Sequence, residues 1–463
     1  MLPVDGERPF PYTRPQKNPV PKGNVMILQK PPSLNLALSA NADYLSVVMS
    51  FVERSASVFG LGRAEQGKLL LATEEIFMVL CNVLCPGKDL DVRLVNGLHY
   101  VRAEFHFVSS ELNLGGLNIT PTISPDGEAD LQQMGLLIAA RSADRLSLNV
   151  ERRQRVALSV VKEKAYPRSA ERIPPPEDGE AAAVETPDRE RLKRFAVLAG
   201  QSVPDPDRPS FLNYPGKLAD MAAAGDCHVL TALNRKKEIV GGIVFGHRTE
   251  KTVWCCGPYV FPRTGQPEIA ETLLEACIAK VARTKALGLL SISGLPEGLR
   301  RDFEPLGDLT FRPEEGPPVQ RSFFYRHLHE DPVCEVWAHA ALADHLRREY
   351  GRLVLAREIR ILSDMGEARS GRSLFSAEID GERSEVVLRP LLPGADLPVN
   401  VERHVRLLQD ERYRNLLFEL DLGISWHAEI VPALLRSGFR PAILLPFAGR
   451  SDLVIFEAHA TES

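Results

Sequence analysis

Residues Thr252 to Ser293 read TVWCCGPYVFPRTGQPEIAETLLEACIAKVARTKALGLLSIS. Val253, Trp254, Tyr259, Val260 and Phe261 favour a strand, because β-branched and aromatic side chains fit a pleated, half-buried surface. Pro262, Gly265 and Pro267 punctuate a loop, and Pro267 suits the first helical position, where a missing N–H is harmless. Ile269, Leu273, Leu274, Cys277, Ile278 and Val281 then recur at helical spacing. Gly288 closes the helix, and Leu289 to Ser293 returns as a strand. The stretch is strand, tight loop, long helix, strand. Such a unit aims the free N–H groups of a helix start past the end of a strand, a geometry that attracts phosphate. It is equally a plain βα unit of a mixed sheet with no ligand.

Working outward, 463 residues exceed one ordinary core and predict roughly two to three domains. A hydrophobic content of 44% with 25% charged residues is that of a soluble globular protein. The net charge of −5 gives no general pull toward nucleic acid or an anionic membrane. No apolar run approaches the roughly 20 residues needed to span a bilayer. The first residues, MLPVDGERPFPYTRPQKNPVPKG, lack the apolar segment of a signal peptide, and 1–32 reads as a Pro-rich arm. Seven cysteines, an odd number set mostly in apolar segments, fit free thiols in a reducing cytoplasm. Cys81 and Cys85 are helical neighbours, but no second pair follows at zinc spacing.

Residues 33–165 read as a first domain. A strand at Ser33 to Leu38 precedes helices at Ala42 to Val58 and Glu65 to Leu84. Strands at Asp91 to Val95 and Leu98 to Phe107 flank Asn96-Gly97, a strong hairpin signal. After a long Gly-, Pro- and Ser-rich loop, Gly135 to Ser142 reads as helix, and Leu146 to Val150 with Arg155 to Val161 as a second hairpin. Residues 166–190 (YPRSAERIPPPEDGEAAAVETPDRE) read as a linker with no role beyond spacing. A second lobe, 191–330, holds the opening stretch. It begins with a helix at Leu192 to Gln201 and strands at Cys227 to Leu233 and Ile239 to His247. It ends with a helix at Leu299 to Leu306 and strands at Leu309 to Phe311 and Arg321 to Leu328. Residues 331–463 open with a mostly helical bridge from Pro332 to Glu358. They continue as strands 374–379 and 386–391, helix 401–409, strand 416–422, helix 426–436 and strands 442–446 and 452–457. The same element order thus recurs, and we read the C-terminal half as a diverged internal repeat.

The segments LLLATEEIFMVLCNVLC and MGLLIAARSADRLSLNVERRQRVALSVVKE, with the Asn96-Gly97 hairpin between them, resemble the GHKL ATPase (HATPase) superfamily, in its branch of anti-sigma-factor serine kinases. The resemblance implies a GHKL-type α/β sandwich, ATP with Mg²⁺, and a protein partner of the sigma/anti-sigma regulatory type. Glu74 and Glu75 match the acidic pair of that branch, with Glu75 as the catalytic base. Val79 stands where the branch carries its magnesium-binding Asn, so the ligand role passes to Asn82, one turn on. Gly135 is what remains of the last glycine box that lines the nucleotide.

The loop with Gly265 followed by I-A-x-x-L-L is similar to the acyl-CoA loop of the GNAT N-acyltransferases. In the pattern Q/R-x-x-G-x-G/A, Ala270 takes the final small position, Glu268 the first glycine position and Gly265 the Q/R position. The resemblance implies acetyl-CoA or another acyl-CoA, its pyrophosphate on Arg263 to Ala270 and its pantetheine beside Tyr259 and Val260. Family members often place a Glu on the strand before the loop and a Tyr on a later element. VWCCGPYV has no Glu, and Tyr259 and Tyr325 are the available phenols. Cys255 and Cys256 are adjacent on a strand and face opposite sides, so one at most faces a cleft. Asp421, His427 and Glu429 cluster in the last lobe, where helix-start carboxylates are favoured in any case.

The expected architecture is therefore α/β (α+β): a GHKL-type sandwich followed by two tandem GNAT-like mixed-sheet lobes. Three functions are consistent with it. The first is a cytoplasmic regulatory protein whose GNAT-like lobe binds acyl-CoA and transfers the acyl group. The second is an interaction scaffold without catalysis. The third is an ATP-dependent serine/threonine kinase acting through Glu75 and Asn82.

Overall fold

Two β-α-β crossovers set the architecture. The computed structural model describes residues 31–84, 87–108, 117–120, 140–150, 155–177, 179–204, 208–262, 265–363 and 371–459. No described helix is long and apolar enough to cross a membrane.

The first layer is an antiparallel sheet of β1 (Ser33–Ser39), β2 (Asp89–Asn96), β3 (Tyr100–Val108), β4 (Arg145–Val150) and β5 (Arg155–Glu163), in the order β1-β2-β3-β5-β4. Helices α1 (Leu45–Val58) and α2 (Arg63–Val83) share its core. Val48, Val52, Leu69, Ile76, Phe77 and Leu80 pack there with Leu90, Val92, Phe105 and Leu158. This is an α/β sandwich.

The opening stretch lies in the seven-stranded second sheet, ordered β11-β12-β10-β9-β8-β7-β6. Its strands are β6 (Ala183–Glu185), β7 (His228–Leu233), β8 (Ile239–His247), β9 (Thr252–Val260), β10 (Gly288–Ser291), β11 (Glu304–Phe311) and β12 (Val319–His327). Only β9 and β10 run parallel, joined by the crossover helix α5 (Gln266–Val281). On α5, Ile269, Leu273, Leu274 and Cys277 bury against Ile243, Phe245, Val253 and Cys255. Helices α3 (Arg189–Ser202) and α4 (Pro215–Ala224) cover the other face.

The third sheet, ordered β15-β16-β17-β19-β18, has strands β15 (Leu374–Asp380), β16 (Glu385–Leu392), β17 (Asn415–Asp421), β18 (Arg440–Leu445) and β19 (Leu453–His459). Again one pair, β16 and β17, is parallel, joined by α7 (Leu397–Asp410). The order β8-β9-α5-β10-β11-β12 matches β15-β16-α7-β17-β18-β19 element for element, and in both sheets the last strand inserts beside the crossover pair. The internal repeat is real at the level of topology. The two lobes also share one apolar core, in which Leu290, Leu306, Leu309 and Tyr325 pack with Leu416, Phe418 and Ile443.

Several elements differ from the sequence reading. The segment read as linker is part of the second lobe. Ala183 to Glu185 pair with β7, Ile173 packs against the core under α3, and the Tyr166 hydroxyl donates to Asp220 at 2.6 Å. The helix expected at Leu299 to Leu306 is a 3-10 turn, Glu297–Asp302, followed directly by β11. Pro305 and Gly307, at φ +128°, cannot continue a helix. The bridge is not mostly helical. It is β13 (Cys334–Ala338), α6 (Ala340–Arg352) and β14 (Arg357–Ile361), with the two strands parallel. Val336 and Ala338 are buried while Glu335 is exposed, a period of two that the adjoining helical pattern concealed. The helix expected at 426–436 divides into a 3-10 turn, Ser425–Ile430, and α8 (Val431–Arg436), with Pro432 at its first turn.

Candidate active site

The site is built where β9 and β10 part. Their parallel pairing runs from Thr252/Gly288 to Cys255/Ser291 and stops. Beyond it the two strands stay tied through Cys255 and Gly257. The Ile292 N–H donates to the Cys255 carbonyl at 3.1 Å, and the Gly257 N–H donates to Ser293 Oγ at 3.0 Å. On the other side β9 bulges against β8, because Val244 pairs with Cys256 but Gly242 pairs with Tyr259. Gly257 makes the bulge possible. Its φ is +92°, and a Cβ there would stand 2.8 Å from the Tyr259 nitrogen.

The bulge shifts the alternation of side chains by one. Cys255 faces α5, while Cys256 and Tyr259 both face the α3 side. They line a cavity of about 610 Å³ between the second and third sheets. Ser210 and Phe211, the segment from Leu290 to Pro296, and Arg383, Glu385 and Glu419 of the last lobe close it.

Tyr259 is 7% exposed, and its hydroxyl has no partner in hydrogen-bonding geometry, although Ser293 and Cys256 lie close enough to act on its titration. Burial pushes its pKa well above the ordinary phenol value, so the hydroxyl stays protonated at neutral pH. Burial likewise raises the Cys255 and Cys256 thiols, which are therefore poor nucleophiles. The cavity is thus lined by a neutral phenol and a protonated thiol.

The start of α5 lies past the end of β9. Gly265 is left-handed, at φ +69°, and its carbonyl accepts from the Ile269 N–H at 3.2 Å. Pro267 removes one N–H from the first turn, and Glu268 adds a carboxylate to it. A Cβ at Gly265 would overlap the Gly179 carbonyl oxygen, so the segment before β6 lies against this helix start. The helix start is thus crowded by a carbonyl oxygen and a carboxylate. Ala270 is buried in the α5 core and Val260 packs half-buried against it. Arg263 lies outside the described residues.

Tyr325 does not reach the cavity. It stands opposite Leu290, which also pairs with Trp254, one step below the parting of the strands. It is 1% exposed in the core shared by both lobes, over Gly288.

In the first sandwich, Glu75 is half-buried, and burial followed by the charge of Glu74 raises its pKa. Val79 is buried in the core, so the helix offers an apolar side chain at the expected ligand position. Asn82 is exposed and seven residues from Glu75, about 10 Å along the axis at 1.5 Å per residue. Gly135 lies outside the described residues. Among the described residues no group of three or more His, Cys, Asp or Glu is placed to hold a metal.

The last lobe has the same crossover without an opening. Where β16 and β17 part, Arg389 Nε donates to Glu419 at 2.7 Å, and Arg248 of the second sheet reaches the same carboxylate at 2.9 Å. The Asp421 carboxylate accepts from the backbone of Gly423, Arg450 and Ser451, and the Asp421 N–H donates to His427 Nδ1. Asp421 thus organises a loop and does not act on the imidazole. Sequence reading missed Ser293, although it stands in the opening stretch. It also missed Arg248, Arg321, Arg383, Glu385 and Glu419, which meet only through tertiary packing.

No family model and no curated protein matches the chain. Among solved structures the chain is similar to an N-acetyltransferase from Staphylococcus aureus Mu50, at 13% identity over 32% of this chain and 98% of that one, with a TM-score of 0.27. It is similar to an aminoglycoside 6'-acetyltransferase type Ii, at 14% identity over 32% and 99%, with a TM-score of 0.27. It is also similar to a GNAT superfamily phosphinothricin acetyltransferase from Sinorhizobium meliloti in complex with AcCoA, at 15% identity over 33% and 90%, with a TM-score of 0.27. Each likeness covers about a third of this chain.

Proposed function

We propose that the second sheet binds an acyl-CoA and transfers its acyl group to an amine in the inter-lobe cavity. The observation that carries this reading is the parting of β9 and β10 at the Gly257 bulge, with the unpartnered Tyr259 hydroxyl beside it. Bound there, an acyl-CoA supplies a thioester carbonyl. The amine nitrogen bonds to that carbon, the carbon–sulfur bond breaks, and the departing sulfur takes the Tyr259 proton. The amine's surplus proton passes through water to the Tyr259 oxygen and restores the phenol, because the cavity carboxylates Glu385 and Glu419 are both engaged by arginines. Ser293 Oγ holds the Gly257 N–H and so fixes the bulge that places Tyr259.

Thermal unfolding of the whole chain with acetyl-CoA tests the reading. A ligand at about 100 times its dissociation constant stabilises the folded state by about 2.7 kcal/mol. A shift that disappears in Gly265→Glu supports acyl-CoA binding at this site. A second reading, the scaffold, is favoured by the Gly179 carbonyl against Gly265 and by the Glu268 carboxylate. The absence of any shift up to millimolar acetyl-CoA would favour that scaffold.

A further inference from the structure

We propose that the acceptor amine carries an aliphatic or aromatic group, and that the last lobe supplies the apolar wall that seats it. The acceptor's being an amine rests on the acyl-transfer reading; the apolar wall does not. Val387 of β16 stands directly opposite Leu417 of β17 in the parallel pairing, and both line the cavity. Both are half-buried, so each keeps apolar surface free for a ligand. Ile455 of β19 continues this wall. Phe211, Ile292 and Phe323, also half-buried, line the same cavity from the second lobe. Ligand pockets are commonly walled in this way, by apolar and aromatic side chains with a few placed polar groups.

The charges at the two ends of this strip are already matched. Glu385, two residues before Val387 and so on the same face, meets Arg321 at 2.9 Å. Glu419, two residues beyond Leu417, meets Arg389 at 2.7 Å and Arg248 at 2.9 Å. These are the two carboxylates among the described residues that line the cavity. An incoming ammonium therefore finds no carboxylate without a cation, and burying it unpaired is costly. An amine seated by its apolar part sheds that cost by entering neutral, and only the neutral amine has the lone pair that bonds to the thioester carbon. The wall also falls to the acceptor by position. The parting of β9 and β10 and the start of α5 both belong to the second lobe, which leaves the last lobe to the other reactant.

The test is isothermal titration of the full chain with n-hexylamine and 2-phenylethylamine, each against ethylamine. Acetyl-CoA and hexanoyl-CoA are titrated separately on the same samples. Each buried methylene is worth about fourfold in affinity, so both larger amines should bind at least about tenfold more tightly than ethylamine. Val387→Ser and Leu417→Ser should each cut that preference several-fold. Val387→Phe, which keeps the wall apolar but fills the space beside Leu417, should weaken n-hexylamine and leave ethylamine unchanged. Val399→Ser, 47% exposed on α7 and outside the cavity, should change nothing. Equal binding of the large and small amines, no binding of any, or a preference that all three wall variants leave intact overturns the inference. A preference for hexanoyl-CoA over acetyl-CoA that Val387→Ser removes would give the wall to the acyl chain and would overturn it as well. Acetyl-CoA binding without an amine preference removes this inference alone. An amine preference without acetyl-CoA binding removes the acyl-transfer reading and leaves the apolar wall standing.

Discussion

Glu419→Gln tests whether the two lobes are joined by charge. Glu419 is 8% exposed and accepts from Arg389 and Arg248, one from each lobe, at 2.7 and 2.9 Å. Burial alone would raise its pKa, but the two guanidiniums outweigh that and hold it at about 2 against an ordinary 4.5. At about 1.4 kcal/mol per pH unit, that difference is worth about 3 kcal/mol of folding free energy. Removing one partner of a buried ion pair costs about 3–5 kcal/mol, which agrees. The sign follows from the depressed value. The contribution is complete above pH 4.5 and is lost as pH falls toward 2. Urea unfolding at pH 7 should therefore show a loss of about 3 kcal/mol for Glu419→Gln. The variant should also lose the steep decline that the natural chain shows between pH 4.5 and 2. Glu378→Gln is the control, since Glu378 also meets Arg389, at 2.7 Å, but is about half exposed. Its loss should stay below about 1 kcal/mol. A loss below about 1 kcal/mol for Glu419→Gln itself would refute the reasoning.

Other outcomes follow from single groups. His404 and His427 are buried neutral, with pKa values lowered by desolvation to about 4 and about 3. Unfolded, each would titrate near 6.5, so the unfolded chain takes up protons as pH falls from 7 to 5, and stability should drop by about 2 kcal/mol per histidine. A urea midpoint unchanged between these two pH values would contradict their burial. Tyr259→Phe removes an unpartnered buried hydroxyl, so folding stability should hold or rise by up to about 1 kcal/mol. In the acyl-transfer reading its turnover should fall by about 10² or more with acetyl-CoA binding retained, and unchanged turnover would take the phenol out of the mechanism. Gly257→Ala places a Cβ 2.8 Å from the Tyr259 nitrogen at φ +92° and should cost about 1–3 kcal/mol by thermal unfolding. A variant as stable as the natural chain would mean that the bulge is not what holds this strand.

What could be read from sequence was local. The α5 helix shows because Ile269, Leu273, Leu274 and Cys277 repeat at its own period, and β9 because its aromatic and β-branched residues cluster. The repeat was legible because both halves keep one order of periods. Strand β6 was not, since three residues inside a Pro- and Glu-rich stretch have no pattern until β7 pairs with them. In the sequence Tyr259 and Tyr325 were equivalent phenols, and only the structure separates them, with Tyr259 lining the cavity. The register, which sets Tyr325 opposite Leu290 and level with Trp254, shows that it lies below the opening. The charged wall was illegible for the same reason. Arg248, Arg321, Arg383 and Glu419 stand on four separate segments, and each taken alone looks like an ordinary surface charge.

The two lobes share one topology but differ where their parallel strands part, and this sets how far they can be separated. In the first copy the parting strands are bridged by a Ser293 hydroxyl and leave a cavity. In the second the same place is closed by the Arg389–Glu419 pair. The closed copy is nevertheless required by the open one. Leu290 sits on β10 at the opening, and its neighbours Leu306, Leu309 and Tyr325 bury against Leu416, Phe418 and Ile443 of the last lobe. Cutting the chain after residue 330 would expose this surface, and each large apolar side chain so exposed costs about 1.5–3 kcal/mol. Four such side chains amount to about 6–12 kcal/mol, comparable with the whole stability of an ordinary domain. A fragment of residues 166–330 is therefore expected to be unfolded or aggregated, while the full chain keeps both lobes in one urea transition. If that fragment unfolded cooperatively on its own, the shared core would be a docking surface between independent domains, and the cavity wall would have to be sought in the first copy alone.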